Sequence, residues 1–215
     1  MNSLNDYFDK IYAIHVWGYE DRLLCINNIK TTLNCDIEIF NAYTPVNCGL
    51  PRTLVKNPAE YACGISHMKL WEKILKDRPE RPLILEDDVI VNKDIDVFKL
   101  LSDNYINLLD PIVDIAYLGL NYTHKSNYQY IGQHLIKIKA SLASHAYSPS
   151  MDFLSGINFN KLHNYFNNCC LAFDTLLSEN FINLNILGLK PPILYQKPGY
   201  SIILNRNVDY THMLK

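Results

Sequence analysis

Three consecutive acids, Glu86-Asp87-Asp88, separate two wholly apolar stretches, Leu83-Ile84-Leu85 and Val89-Ile90-Val91. The flanks have the length and β-branched content of a buried strand. Desolvating an ionised carboxylate costs several kcal/mol unless a partner compensates, so the fold has to answer the charge of this triplet. A divalent cation is one answer, and solvation at a strand end is the other. In extended backbone Glu86 and Asp88 project to one side and Asp87 to the other. The first and third acids then form a pair suited to a hard cation such as Mg²⁺ or Mn²⁺. Asp87 is left to cap a turn.

The chain around the triplet alternates. Lys10 to Val16 is short, apolar and β-rich, and from Glu20 the apolar positions Leu23, Ile26, Ile29 and Leu33 recur near helical spacing. Asp36 to Phe40 alternates as a second strand, and the Pro- and Gly-bearing stretch from Asn41 to Pro58 reads as a loop. Asn57 as N-cap, Pro58 at the first helical position and Glu60 three residues on start a helix running to about Lys76. Gly64, Met68, Trp71 and Leu75 share one of its faces. Beyond the triplet, Asp94 can cap a helix reaching Tyr105. Val113 to Leu118 is a further strand, and shorter β-like pieces follow at Ile131 to Lys139 and Ala143 to Tyr147. This order predicts an α/β fold, a mainly parallel sheet with helices on both faces and ligands at the carboxyl ends of the strands.

A chain of 215 residues suffices for one domain with a sizeable core. A net charge of -2 gives no electrostatic reason to expect nucleic acid or an anionic membrane as partner. No stretch approaches the roughly 20 apolar residues of a membrane span, and the start, MNSLNDYFDKIYAIHV, has no leader pattern. The six Cys include no C-x-x-C pair, which argues against a thiolate zinc site and for reduced core or surface thiols, and with neither span nor leader pattern the expected location is the cytoplasm.

Cys63 to Leu75 (CGISHMKLWEKIL), followed after a short gap by LILEDDVIV from Leu83 to Val91, resembles glycosyltransferase family 25, the group of lipooligosaccharide and procollagen galactosyltransferases. Further matching pieces are Asp21-Arg22, Tyr117-Leu118-Gly119, His145-Ala146-Tyr147, Phe173-Asp174 and PPILYQKPGYSII from Pro191 to Ile203. The resemblance covers nearly the whole chain. His15-Val16-Trp17-Gly18-Tyr19 departs from the family's run after its first strand, and only Arg22 carries over there.

The resemblance implies one GT-A-like, Rossmann-like nucleotide-sugar-binding domain over residues 1–215. It implies a metal-dependent inverting transferase that moves galactose or a related hexose from a UDP-sugar. The acceptor is a saccharide or hydroxylysine of a collagen-like protein. Glu86 and Asp88 become the ligands of Mn²⁺ or Mg²⁺, with His212 from the chain end completing the sphere. Arg22, Ser66, His67, Glu86 and Gln196 face the donor, Ser66 and His67 either approaching the nucleotide or bracing the acidic loop. Asp174 becomes the base that takes the acceptor's proton. Plainer roles compete: a surface ion pair for Arg22, a satisfied core histidine for His67, an ordinary strand residue for Gln196, an N-cap before Thr175-Leu176-Leu177 for Asp174, a tail residue for His212. A metal-dependent phosphohydrolase and a non-catalytic carbohydrate-binding relic are the competing functions.

Overall fold

The predicted first strand forms as β1 (Lys10–His15) and is followed by α1 (Glu20–Thr32) and β2 (Glu38–Asn41). This is a computed structural model, and its described residues are 2–49, 57–119, 121, 127–139, 144–169, 173–174 and 183–210. Next come α2 (Pro58–Asp77), β3 (Pro82–Glu86), β4 (Val89–Val91), α3 (Val97–Leu108) and β5 (Ile115–Gly119). The second half holds β6 (Tyr128–Tyr130), β7 (Leu135–Ile138), β8 (Ala146–Pro149), α4 (Met151–Gly156), α5 (Phe159–Cys169), β9 (Ile186–Leu189), β10 (Leu194–Gln196), β11 (Gly199–Ser201) and β12 (Arg206–Val208).

The central sheet has the order β2-β1-β3-β8-β5-β9-β7-β6. Strands β2, β1, β3, β5, β9 and β6 run one way; β8 and β7 run the other. Side chains alternate across it, as a pleated strand dictates. Ile11, Ala13, Leu83 and Leu85 pack with Ile26 and Ile29 of α1 and Val97, Leu100 and Leu101 of α3. Tyr12, Ile14 and Ile84 pack with Ile65, Met68 and Trp71 of α2. Helices therefore cover both faces. Burying each of these larger side chains contributes roughly 1.5–3 kcal/mol.

α2 begins as its sequence indicates: the Asn57 side chain accepts from Glu60 N at 3.2 Å and Pro58 occupies the first turn. It ends where Arg78 enters the left-handed region at φ 53°. Trp71, 1% exposed at its centre, is the residue whose truncation to Ala would break this packing, at about 3–5 kcal/mol.

Three local expectations are corrected. The cap of α3 is Asp96, whose side chain accepts from Lys99 N at 3.0 Å; Asp94 N instead donates to Asn92 Oδ1 at 3.1 Å. The second strand starts at Glu38. Val89–Val91 does not resume β3 but leaves the main sheet and pairs antiparallel with β10, Val89 opposite Gln196. The acids thus occupy a corner between two sheets, not the middle of one strand.

Candidate active site

β3 delivers the triplet to the carboxyl end of the sheet, and β4 with β10 folds back over it. Glu86 N donates to His145 O at 2.9 Å, and Lys197 N donates to Asp88 O at 2.7 Å, so the corner is tied at both ends. Gly119 makes the approach of β10 possible. A Cβ there would sit 2.3 Å from Leu194 O and 2.7 Å from His145 Nε2, which explains the glycine of Tyr117-Leu118-Gly119.

The three acids have distinct surroundings. Asp87 is almost fully buried. Its Oδ2 lies 2.9 Å from His15 Nδ1 and accepts from Val16 N at 3.0 Å, while Oδ1 accepts from Arg22 Nη1 at 2.7 Å. It is the anchor of the site's wall, a larger role than the turn cap expected for it. Asp88 Oδ1 is buried with no hydrogen-bond partner, and Oδ2 lies 3.7 Å from Arg22 Nη2. Burial, with the Glu86 charge beside it and Arg22 opposing, pushes the Asp88 carboxyl up to about 7. Glu86 Oε1 lies 3.3 Å from His67 Nε2. Burial pushes Glu86 up, but its hydrogen bond with His67 and its neighbouring positive groups outweigh that and hold it below the ordinary carboxylate value.

The residues expected near the donor divide into cleft walls and braces. Arg22 lines the cleft, yet its shortest contact is with Asp87, and it also donates to Tyr200 O at 3.4 Å. Ser66 lines the cleft too, but its hydroxyl is engaged: it donates to Ala62 O at 2.8 Å and accepts from Tyr43 N at 2.8 Å, bracing the loop after β2. His67 is fully buried, stacked on Phe173 with ring centroids 4.5 Å apart, and braces Glu86. Gln196 Oε1 accepts from Asn121 Nδ2 at 2.8 Å, across from the acidic corner. Asn121 is a pocket residue that no sequence pattern singled out.

Three adjoining cavities share Gln196 and Ser201 and together form one cleft. The first, about 130 Å³, runs from Ile14, Ala42 and Tyr43 to Glu86, Asp87 and Asp88. The second, about 140 Å³, joins Glu86 to Glu60, Asn121 and Asp174. The third, about 140 Å³, continues past Asp88 and Lys197 to Tyr210. Asp174 is close enough that, with burial as the larger cause, it pushes the Glu60 carboxyl upward. A larger cavity of about 280 Å³ lies elsewhere, around Leu108, Pro111 and Ser150, and holds none of these acids. Residues 175–182 after Asp174, and His212, lie outside the described residues.

The fold is that of GT-A-like glycosyltransferases. A glycosyltransferase involved in glycosylation of the major capsid of PBCV-1 superposes with a TM-score of 0.51 at 12% identity, over 88% of this chain and 94% of that one. The apo-form glycosyltransferase GlyE of Streptococcus pneumoniae TIGR4 superposes with a TM-score of 0.51 at 10% identity, over 95% of this chain and 61% of that one. At such identities the likeness speaks for the fold alone. No curated protein sequence matches the chain. The pattern of glycosyltransferase family 25 (LPS biosynthesis protein) matches residues 52–172, more than half of the 215 residues, and the chain belongs to that family. It is a glycosyltransferase. Among the described residues no helix is long and apolar enough to cross a membrane.

Proposed function

We propose that this glycosyltransferase moves a hexosyl group, galactose or a close relative, from a UDP-sugar to a saccharide hydroxyl, with inversion and with dependence on Mn²⁺ or Mg²⁺. The observation that carries the reading is Asp88 Oδ1, a buried carboxylate oxygen without a partner, set beside Glu86 in the cleft. Two hard oxygen donors with one unanswered charge fit a hard divalent cation, which Glu86 and Asp88 would hold. Such a cation, when bound, offsets the charge of the diphosphate and of the departing nucleotide.

The chain's own residues supply the rest. Arg22 and His67 fix the carboxylates through Asp87 and Glu86. Ile14, Ala42 and Tyr43 give a largely apolar wall for the nucleoside. Asp174, on the adjoining cavity, takes the proton from the acceptor hydroxyl as that oxygen bonds to the anomeric carbon. The bond from that carbon to the diphosphate oxygen breaks, and its electron pair leaves with the nucleotide. His212 is the proposed third ligand. The family's description as an LPS biosynthesis protein favours a saccharide over collagen-like hydroxylysine, and the free thiols of Cys25, Cys35, Cys48 and Cys63 favour the cytoplasm.

The test is UDP release from a panel of UDP-sugars with and without Mn²⁺ and saccharide acceptors. Metal-dependent release that rises with acceptor is expected. Phosphoester hydrolysis without sugar-donor binding would overturn the reading, and donor binding with no turnover would mark a relic of the fold.

A further inference from the structure

We infer that Cys63, His67 and Glu86 form a binding site for a thiophilic divalent cation of the Zn²⁺ class, distinct from the Glu86–Asp88 pair and sharing only Glu86 with it. The ligand atoms of these three side chains all lie within 4.8 Å of one another. Cys63 and His67 are one helical turn apart on the same face of α2, and Glu86 meets them from the end of β3. Tetrahedral zinc has bonds of about 2.0–2.3 Å. Its ligand atoms stand about 3.5 Å apart, so closing this set takes a contraction of about 1 Å. Rotamer adjustment of Cys63 and Glu86 can supply it.

His67 is held as a metal-binding histidine is held. Its Nδ1 lies 3.0 Å from Tyr147 Oη, which itself accepts from Trp71 Nε1 at 2.9 Å. The ring stacks on Phe173 with an interplanar angle of 8°. Nε2 therefore points at Glu86, 3.3 Å away. When a cation takes Nε2, the ring's proton moves to Nδ1 and is donated to Tyr147, whose hydroxyl oxygen can accept where it formerly donated. The Cys63 proton leaves to solvent as the sulfur–metal bond forms. Neither step needs an oxidant or a further reactant.

The donor set decides the class of cation. One sulfur, one imidazole nitrogen and one carboxylate oxygen suit Zn²⁺, Co²⁺ or Cd²⁺ and not Mg²⁺ or Ca²⁺. Cys63 and Glu86 both line the first and second cavities, so a fourth position stays open to the cleft. One consequence rests on the proposed transferase reading: a Zn²⁺ ion here draws Glu86 away from the hard cation, so Zn²⁺ competes with Mn²⁺ and inhibits transfer.

The test titrates the intact protein with Co²⁺ and follows the near-ultraviolet thiolate-to-cobalt charge-transfer band. Wild type should develop the band at one equivalent, and Zn²⁺ should abolish it. Cys63→Ser should lose it, and Cys48→Ser, which removes a thiol outside the set, should keep it. His67→Gln should weaken it. Cys63→Ala repeats the test should Cys63→Ser fail to fold. Cobalt binding without the band, or a band of equal strength in folded Cys63 variants, overturns the site. UDP-sugar turnover with Mn²⁺ is measured on a separate, cobalt- and zinc-free portion of the same preparation. A band without turnover sinks the transferase reading and keeps the thiophilic site; turnover without the band does the reverse.

Discussion

Arg22 Nη1 lies 2.7 Å from Asp87 Oδ1, while the same guanidinium reaches Asp88 only at 3.7 Å. The arginine's short contact goes to Asp87, the acid outside the proposed Glu86–Asp88 cation pair. Asp88 is left with too little positive charge for its burial, which is the condition under which a cation is drawn in.

Asp87→Asn should be severely destabilising. The Asp87 and Arg22 side chains are 4% and 15% exposed, and the substitution also removes a partner of His15 and Val16 N. Breaking a largely buried ion pair from one side costs about 3–5 kcal/mol. Urea unfolding measures it; a loss of under about 1 kcal/mol would mean that the pair does not hold the corner.

Asp88→Asn should act in opposite directions on stability and function. Removing a buried, poorly compensated carboxylate stabilises the metal-free protein, whereas losing a ligand charge removes metal-dependent UDP-sugar binding. Thermal unfolding without metal and calorimetry with Mn²⁺ and UDP-sugar report the two effects. Wild-type affinity in the variant would move the cation elsewhere.

Metal-free wild type and Asp88→Asn should differ in the pH profile of their stability. Burial holds the His145 imidazole down at about 4 against an ordinary 6.5. Between those values the unfolded chain binds the extra proton, so His145 makes stability fall as pH drops, by roughly 3 kcal/mol in all. Asp88 has the reverse sign: at about 7 in the fold against 3.8, it binds its proton first in the folded state, so its contribution rises as pH drops. Metal-free wild type should therefore be nearly level between pH 6.5 and 4, and Asp88→Asn should lose stability across that interval. Urea midpoints at the two ends decide it, and a level profile in Asp88→Asn would show that His145 is not buried as the neutral imidazole.

Asp174→Asn should leave UDP-sugar affinity intact and lower transfer by about 10²- to 10⁴-fold, the usual contribution of a general base. A variant that melts early but transfers normally per folded molecule would assign Asp174 to helix capping.

His212→Ala should weaken the Mn²⁺ dependence of turnover, since two carboxylates leave a bound cation short of protein ligands. Full Mn²⁺-dependent activity in a chain truncated before Asp209 would remove the terminal segment from the metal site.

Much of this fold was legible because its signals are local. The apolar run of β1, the Asn57-Pro58 start of α2 and the Leu83–Leu85 strand each carry their own pattern within a few residues. The acidic corner was visible as a conflict between burial and charge. What escaped was non-local pairing. Nothing near Ala146–Pro149 announces an antiparallel strand slotted between β3 and β5, and nothing near Val89 announces β10. Asp87 looked like a turn residue because its partners, Arg22 and His15, lie 65 and 72 residues away. Ser66 read equally as approaching the nucleotide or bracing the acidic loop, because its pattern does not show that its hydroxyl accepts from Tyr43 N. One signal could have been read: Cys63 and His67 stand four apart in a confidently helical segment, a metal-ligand spacing that a search for C-x-x-C alone passes over.

The closure of the acidic corner by β10 also sets an order of events during synthesis. Glu86, Asp87 and Asp88 leave the ribosome more than 100 residues before Lys197, whose amide ties down Asp88, and Gln196, which pairs with Val89. Contacts this distant in sequence form late and slowly. Until they form, the emerging chain carries the acids without the cleft, and an interrupted chain that stops short of Gln196 has no closed corner with which to sequester a nucleotide sugar or a metal ion.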